Sequence, residues 1–444
     1  MLLKKLMFST VFIFFLAIGI AGAARLNVFV NIEHPLPTEA RFELAGLSLI
    51  NDQGTDVPVT VSSPGVSTAV SFGQSFLASA EVPVGRYSTV ILKMKNVRLG
   101  SRKIPGDMEA KIKVNWELKE GESRCLFLVW DVRGSLRENG FAPSFYAMFQ
   151  TRPLRGETLY VTCDEINTLF AIRTDTNRVV ASLATKDTPR QVAAFPRGDR
   201  LYVLCEKSRS LLSVEMSTFR VVDALLLPMV QSPRFLALVN GRTLVVTDPN
   251  NDQIFLVDAG TGSLLKSRRL GQQLTNVFYW KKGRQIFVSS AGEQKVYQLN
   301  ADLSPARAYE TGSSPRGIWV QNGWLYVADS GSGTVSLFNL ATGKLLGRVR
   351  SGRKPVRILG TRRRLFISNW KDGTLSVLWP GQMAISRRIK AGLSPSALAV
   401  CNTRRWLYVA DRGERGVTVV NSTSMKNMGM IELGCSPWDV AVAR

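Results

Sequence analysis

The chain has one histidine in 444 residues, His34, and it sits in a Glu-His-Pro loop near the N-terminus. Histidine is the usual metal ligand and the usual proton carrier near neutral pH. A haem site, a zinc centre or a Ser-His-Asp triad elsewhere in the chain is therefore not expected, and His34 itself reads as a surface loop residue. Cysteine is scarce too: Cys125, Cys163, Cys205, Cys401 and Cys435. Five is an odd number and too few for a disulfide scaffold at this length, and no C-x-x-C pair occurs. Acidic residues are in deficit, 34 against 57 Lys and Arg, which leaves a net charge of +23. Beyond the first twenty residues no stretch is long and apolar enough to span a bilayer.

What is present begins with a processing signal. Lys4 and Lys5 precede an apolar run from Leu6 to Ile20, and Ala21-Gly22-Ala23 supplies the small residues a signal peptidase accepts. Residues 1–23 read as a cleaved signal peptide, the alternative being an uncleaved N-terminal membrane anchor. Either places the remainder in the periplasm or outside the cell, where disulfides persist.

The rest is dominated by repetition. A strand-like tripeptide recurs as Leu159-Tyr160-Val161, Leu201-Tyr202-Val203, Leu244-Val245-Val246, Ile286-Phe287-Val288, Leu325-Tyr326-Val327, Leu365-Phe366-Ile367 and Leu407-Tyr408-Val409, at spacings of 42, 43, 42, 39, 40 and 42 residues. A period of ~40–45 residues is that of a β-propeller blade. In the fifth repeat four apolar runs are separated by turn residues: 315–320, 325–328, 334–339 and 345–350. No helical period competes with them. Seven such strands, and seven runs led by proline or its equivalent, predict an all-β fold with a seven-bladed propeller over 159–444. The region opens on the second strand of a blade and closes on a first strand, Pro437 to Ala443. The two ends are expected to complete one blade and remove the free edges. Cys163 and Cys435 fall on that blade and are a candidate disulfide, with Cys163–Cys205 as the rival pairing.

Several pieces resemble a known family. Tyr326-Val327-Ala328-Asp329, Tyr408-Val409-Ala410-Asp411 and Tyr160-Val161-Thr162-Cys163 are similar to the YVTN-type β-propeller repeat, as are Thr334 to Asn339 and Gly312 to Gly317. The fourth repeat departs from it, with Leu274-Thr275 in place of the proline-led turn. The resemblance implies a fold and leaves function open, because such propellers serve many roles. Residues 25–150 lack the repeat and read as short strands separated by Pro, Gly and Asn, a pattern expected of an antiparallel β-sandwich. There the run Val82-Pro83-Val84-Gly85-Arg86-Tyr87 resembles prealbumin-like modules of bacterial envelopes. Residues 151–158 read as a linker.

The charge is unevenly placed. Residues 158–444 carry 39 Lys and Arg against 20 Asp and Glu. Turns between first and second strands all emerge on one propeller face. They hold Arg197, Arg200, Arg242, Lys281, Lys282, Arg284, Arg362, Arg363, Arg364, Arg404 and Arg405, opposed only by Asp199, with Trp280 and Trp406 beside them. This face is expected to attract polyanions: an acidic envelope polymer, an anionic membrane surface or nucleic acid. The bland alternative is a solvated surface. Turns between second and third strands, on the other face, are mixed in charge.

A second set converges on the channel mouth. Arg190, Arg234, Arg316 and Trp438 follow the leading proline of their strands, and Arg357 lies one place further on. Forked guanidinium hydrogen bonds there suit a carboxylate or phosphate, unless each Arg pairs with a loop acid instead. Asp248, Asp329, Asn369 and Asp411 end their strands and read as turn-formers rather than Ca²⁺ ligands. The reading that needs the least beyond these features is a non-enzymatic extracytoplasmic binding or scaffolding protein, without cofactor or metal, that engages a protein or an anionic polymer. A propeller hydrolase of lactonase type and a nucleic-acid binder are the alternatives.

Overall fold

The computed structural model describes residues 22–137, 140–150, 154, 156–194, 199–401 and 403–444. Residues 1–21 of the expected signal peptide, Arg197 and half of the expected linker lie outside these. No described helix is long and apolar enough to cross a membrane. The described residues form strands, turns and two short 3₁₀ segments, with no α-helix. The fold is all-β and β-propeller-like.

From residue 158 onward the strands assemble into four-stranded antiparallel sheets. The fifth is representative. Its strands are Pro315–Gln321, Trp324–Asp329, Thr334–Asn339 and Leu345–Arg350. The second strand of each sheet is buried along most of its length, because neighbouring sheets pack on both of its faces. This is why Trp-Leu-Tyr-Val-Ala-Asp reads as a continuous apolar run rather than an alternation. The first sheet mixes the two ends of the region, with Pro437–Ala443 alongside Thr158–Cys163 and Val161 opposite Val440. Cys163 and Cys435 are bonded there, with Cα atoms 6.0 Å apart, and Cys125, Cys205 and Cys401 are free and buried.

First strands neighbour one another from sheet to sheet around a central channel, and Pro437–Ala443 touches both Pro189–Ala194 and Pro395–Cys401. Six of these strands shift register near their first residues. Such a bulge re-aims side chains, and here it turns the residues after the leading proline toward the channel. At Gly317 the next sheet's backbone comes so close that a Cβ would lie 2.9 Å from Arg357 Cα.

Residues 23–149 form two larger sheets and one two-stranded sheet, the larger pair around one apolar core that includes Leu26, Val28, Phe42, Leu92, Met94 and Trp130. The expectation of purely antiparallel pairing there needs correction. Ala23–Glu33 pairs in parallel with Ser123–Asp131. The sheet they share is buried on both faces, and its continuous apolar sequence, Cys125 to Trp130, is the mark of that environment. Strands Gln74–Pro83 and Phe145–Phe149 belong to the same sheet. Its second face packs Phe29, Phe76 and Phe127 against Phe170, Ile172 and Ile431. Gln74 pairs both ways with the backbone of Val179, at 2.8 and 3.1 Å, and Phe76 N–H donates to Glu432 at 3.0 Å. The module therefore covers the outer edges of the first and seventh sheets, protecting them from pairing with other chains. His34 is exposed beside Asp131.

Candidate functional site

Three rings of equivalent residues build the channel mouth. The residues that follow the strand-ending position are Asp164, Glu206, Pro249, Ala291, Ser330, Trp370 and Arg412. Below them lie Arg190, Arg234, Thr275, Arg316, Val356, Ser396 and Trp438. Below those lie Gln191, Phe235, Asn276, Gly317, Arg357, Ala397 and Asp439. The rings are chemically lopsided. Acids stand on the first two sheets, and cations and aromatics gather on the fifth to seventh and return at Trp438.

On the acidic side the arginines are occupied. Arg190 bridges Asp164 and Glu206, and Arg234 bonds Glu206 at 2.7 Å. Burial works to raise the Glu206 pKa, but hydrogen bonds from Ser232, Arg234 and Arg190 outweigh it and hold the carboxyl below its ordinary range. Asp164 and Glu206 are thus two carboxylates joined through the Arg190 guanidinium.

On the basic side a cavity of about 230 Å³ is lined by Phe235, Thr275, Arg316, Lys354, Val356, Arg357, Trp370, Ser396, Ala397, Arg412 and Trp438. Four cations face it and no carboxylate does. Arg316 has its pKa lowered by desolvation first and then by the neighbouring charges of Arg357 and Arg234. Arg357 donates to Asn276 at 2.7 Å and reaches Asp439 at 4.0 Å. Arg412 approaches Asp164 at 3.7 Å and keeps a buried Nη1 without a partner. The aromatic rings are largely covered by charge. Arg190 lies 3.9 Å and Arg412 4.7 Å from the Trp438 centroid, and the Lys354 ammonium lies 4.3 Å from that of Trp370. Cation–π attraction holds these heads in place. Deeper in the channel, burial raises the Asp439 pKa to about 6, against the pull of Arg357 and two backbone N–H groups.

The structure thus brings Arg316, Arg357 and Trp438 together in one cavity and commits Arg190 and Arg234 to Glu206. Lys354, Trp370, Arg412 and Phe235 were missed. Their signal was the fixed offset from a recognised strand end or proline: Asn369-Trp370, Asp411-Arg412, Lys354-Pro355. The strand-ending acids serve their turns. Asp411, for example, accepts from the N–H groups of Leu393, Ser394, Gly413 and Glu414. No group of three potential ligating side chains among the described residues is arranged to hold a metal.

The turns of the opposite face hold Arg200, Arg242, Lys281, Lys282, Arg284, Arg362, Arg363, Arg364, Arg404 and Arg405, spread around the ring, and none lines the cavities described here. Asp199 is not their only opponent. Arg242 pairs with Asp258 at 2.8 Å and Arg200 approaches Asp223 at 3.4 Å. The reason is topological: third strands end and fourth strands begin at this same face, and they bring their own acids, Asp258 and Asp223. Arg364 donates to the carbonyls of Ser422 and Thr423. Trp280 and Trp406 are half-buried and pack against the apolar clusters between sheets.

The fold has known counterparts. A functionally unknown protein of Desulfotomaculum acetoxidans superposes with a TM-score of 0.58 at 13% identity, over 65% of this chain and 99% of that one. A putative 6-phosphogluconolactonase of Bacteroides fragilis superposes at 0.56 with 16% identity, over 65% and 98%. One from Bacteroides uniformis superposes at 0.55 with 16% identity, over 65% and 100%. At such identities the likeness concerns the fold alone. No protein-family model matches the chain, and no curated protein matches it in sequence.

Proposed function

We propose that this chain is an extracytoplasmic binding protein of the cell envelope that holds an acidic glycan at the channel mouth of a seven-bladed, YVTN-type propeller. In this reading residues 1–23 are the export signal and 25–150 form a two-sheet sandwich. That sandwich is a prealbumin-like module, and it braces the blade closed by Pro437–Ala443. The single observation that carries the function is the cavity with four cations and no carboxylate. An anion entering it gains forked hydrogen bonds from guanidiniums already stripped of part of their water. Arg316 and Arg412 both have donors to offer. The covered faces of Trp370 and Trp438 argue against nucleic acid, whose unpaired bases need open rings to stack on. A sugar acid needs only an apolar edge and charge.

The test is calorimetric titration of the full chain with galacturonate and with galactose, for the wild type and an Arg316→Ala, Lys354→Ala double variant. Binding of the acid alone, lost in the variant, is expected. Equal binding of the neutral sugar would refute the reading.

Asp439 supports a second reading. Burial in the channel raises its pKa to about 6, toward the range a general acid requires, and two of the superposed structures are putative lactonases. Hydrolysis of a sugar lactone that disappears in Asp439→Asn while binding persists would favour it.

A further inference from the structure

The mouth does not stand alone. A larger cavity, about 680 Å³, lies between the fifth and sixth sheets and shares Arg316 and Lys354 with it. Its lining runs outward from the innermost strand, which carries Arg316, to the outermost strands, which carry Arg350 and Arg388. Three strand spacings of ~4.8 Å make that path ~14 Å long. Six cations line it, Arg316, Arg350, Arg353, Lys354, Lys371 and Arg388, against the single carboxylate of Asp372, which Arg353 already engages. The floor is glycine and serine. At Gly331 a Cβ would lie 2.6 Å from Ser313 Oγ, so no larger side chain fills the space. Ser330 is 7% exposed, and its hydroxyl has no hydrogen-bond partner. A buried hydroxyl without a partner costs free energy unless something else meets it.

From this continuity we infer that the ligand is a linear carboxylated polysaccharide, bound end-on, with its terminal residue in the mouth and the following residues in the groove between the fifth and sixth sheets. The inference rests on the mouth being an acidic-glycan site and adds the chain and its direction. The groove chemistry selects this polymer. Hydroxyls of Ser314, Ser330 and Ser332 can exchange hydrogen bonds with sugar hydroxyls between charged residues. A polyphosphate has no alcohol hydroxyls to meet these serines, so it leaves the wall's hydrogen-bonding groups unused. A nucleic acid finds the rings at the inner end covered.

The experiment titrates the full chain with galacturonate and with linear oligogalacturonates of increasing length. Polyphosphate and single-stranded DNA of matched charge serve as competitors. Affinity is expected to rise at least about tenfold from monomer to short oligomer and then level off, since each added contact is made intramolecularly. An Arg350→Ala, Lys371→Ala variant changes two exposed side chains. It should bind the monomer as the wild type does and lose the gain with length. Monomer binding without that gain, or a gain the variant retains, would overturn the groove and leave the mouth standing. Failure of monomer and oligomers alike would overturn both. Equal or tighter binding of polyphosphate or DNA would overturn the polysaccharide assignment.

Discussion

Arg190 and Arg316 follow the leading proline of equivalent strands in the second and fifth sheets, and they live in opposite circumstances. Arg190 is locked between Asp164 and Glu206 and lies across Trp438. Arg316 lines the cavity, has no ion pair among the described residues, and feels the repulsion of Arg357 and Arg234. One side of the mouth is an ion-pair network that holds sheets together. The other is a cluster of positive charge that, in the proposed reading, receives the ligand. The difference comes from the neighbouring ring: Asp164 and Glu206 stand after the strand ends of the first two sheets, whereas Ser330, Trp370 and Arg412 stand there in the last three. A repeat can keep its geometry constant and divide stability from binding by changing one residue per copy.

The largest expected effect lies on the paired side. Glu206→Ala leaves Arg190 and Arg234 without their shared partner in a largely buried setting, where breaking one member of such a pair costs about 3–5 kcal/mol. A lower urea midpoint with an unchanged slope checks this. Arg316→Ala should leave that midpoint unchanged or slightly higher, because it relieves repulsion.

Asp439 gives the next largest effect, and it is a pH dependence. Its folded pKa, about 6, lies above the ordinary carboxylate value, so the folded state holds the proton more tightly. Stability from this group is present below about pH 4 and is lost as pH rises through about 6. The loss is up to about 3 kcal/mol at 1.36 kcal/mol per unit. Asp439→Asn should flatten the stability profile of the protein between pH 4 and 7. A profile unchanged by the substitution would show that Arg357 already neutralises the carboxylate.

Ligand affinity comes third. Arg316→Ala should weaken binding of galacturonate about 10- to 100-fold, the ~1.5–3 kcal/mol of charge-assisted hydrogen bonds. Arg234→Ala should act mainly on stability through Glu206. If both variants lost binding equally with stability intact, the contrast between the two sides of the mouth would fail.

Much of this architecture could be read from residues alone, because the period, the tripeptide strands and the turn residues state the same thing at every repeat. The pairing of Thr158–Cys163 with Pro437–Ala443 follows from where the repeat opens and closes. The site was legible in part. Arg316, Arg357 and Trp438 stand at fixed offsets from a proline, but whether an arginine is free depends on a residue some 15 to 30 positions away, as Glu206 is from Arg190 and Arg234. Register within a repeat can be read from sequence, but which side chains meet across neighbouring repeats cannot. The parallel pair Ala23–Glu33 with Ser123–Asp131 was hidden for a related reason: a strand buried on both faces has no alternation from which to infer a partner.

The smallest effect is expected where sequence counting alone placed the most charge. Lys281 and Lys282 are exposed on the face opposite the mouth, in the turn before Gln285–Ser290, and line neither the mouth nor the groove. At 0.15 M salt the screening length is ~8 Å, so charges across the thickness of the ring contribute little at the cavity. Lys281→Ala, Lys282→Ala should therefore leave oligogalacturonate affinity within about twofold of wild type, less than ~0.5 kcal/mol. The unfolding free energy of this variant should also stay within the ±0.5 kcal/mol typical of surface changes. At ~0.01 M salt, where the screening length grows to ~30 Å, the same variant should associate more slowly while the dissociation rate stays fixed. Stopped-flow titration at the two salt concentrations separates these cases. A change in dissociation rate would mean that the ligand touches this face, and the division of labour between the two faces would have to be redrawn.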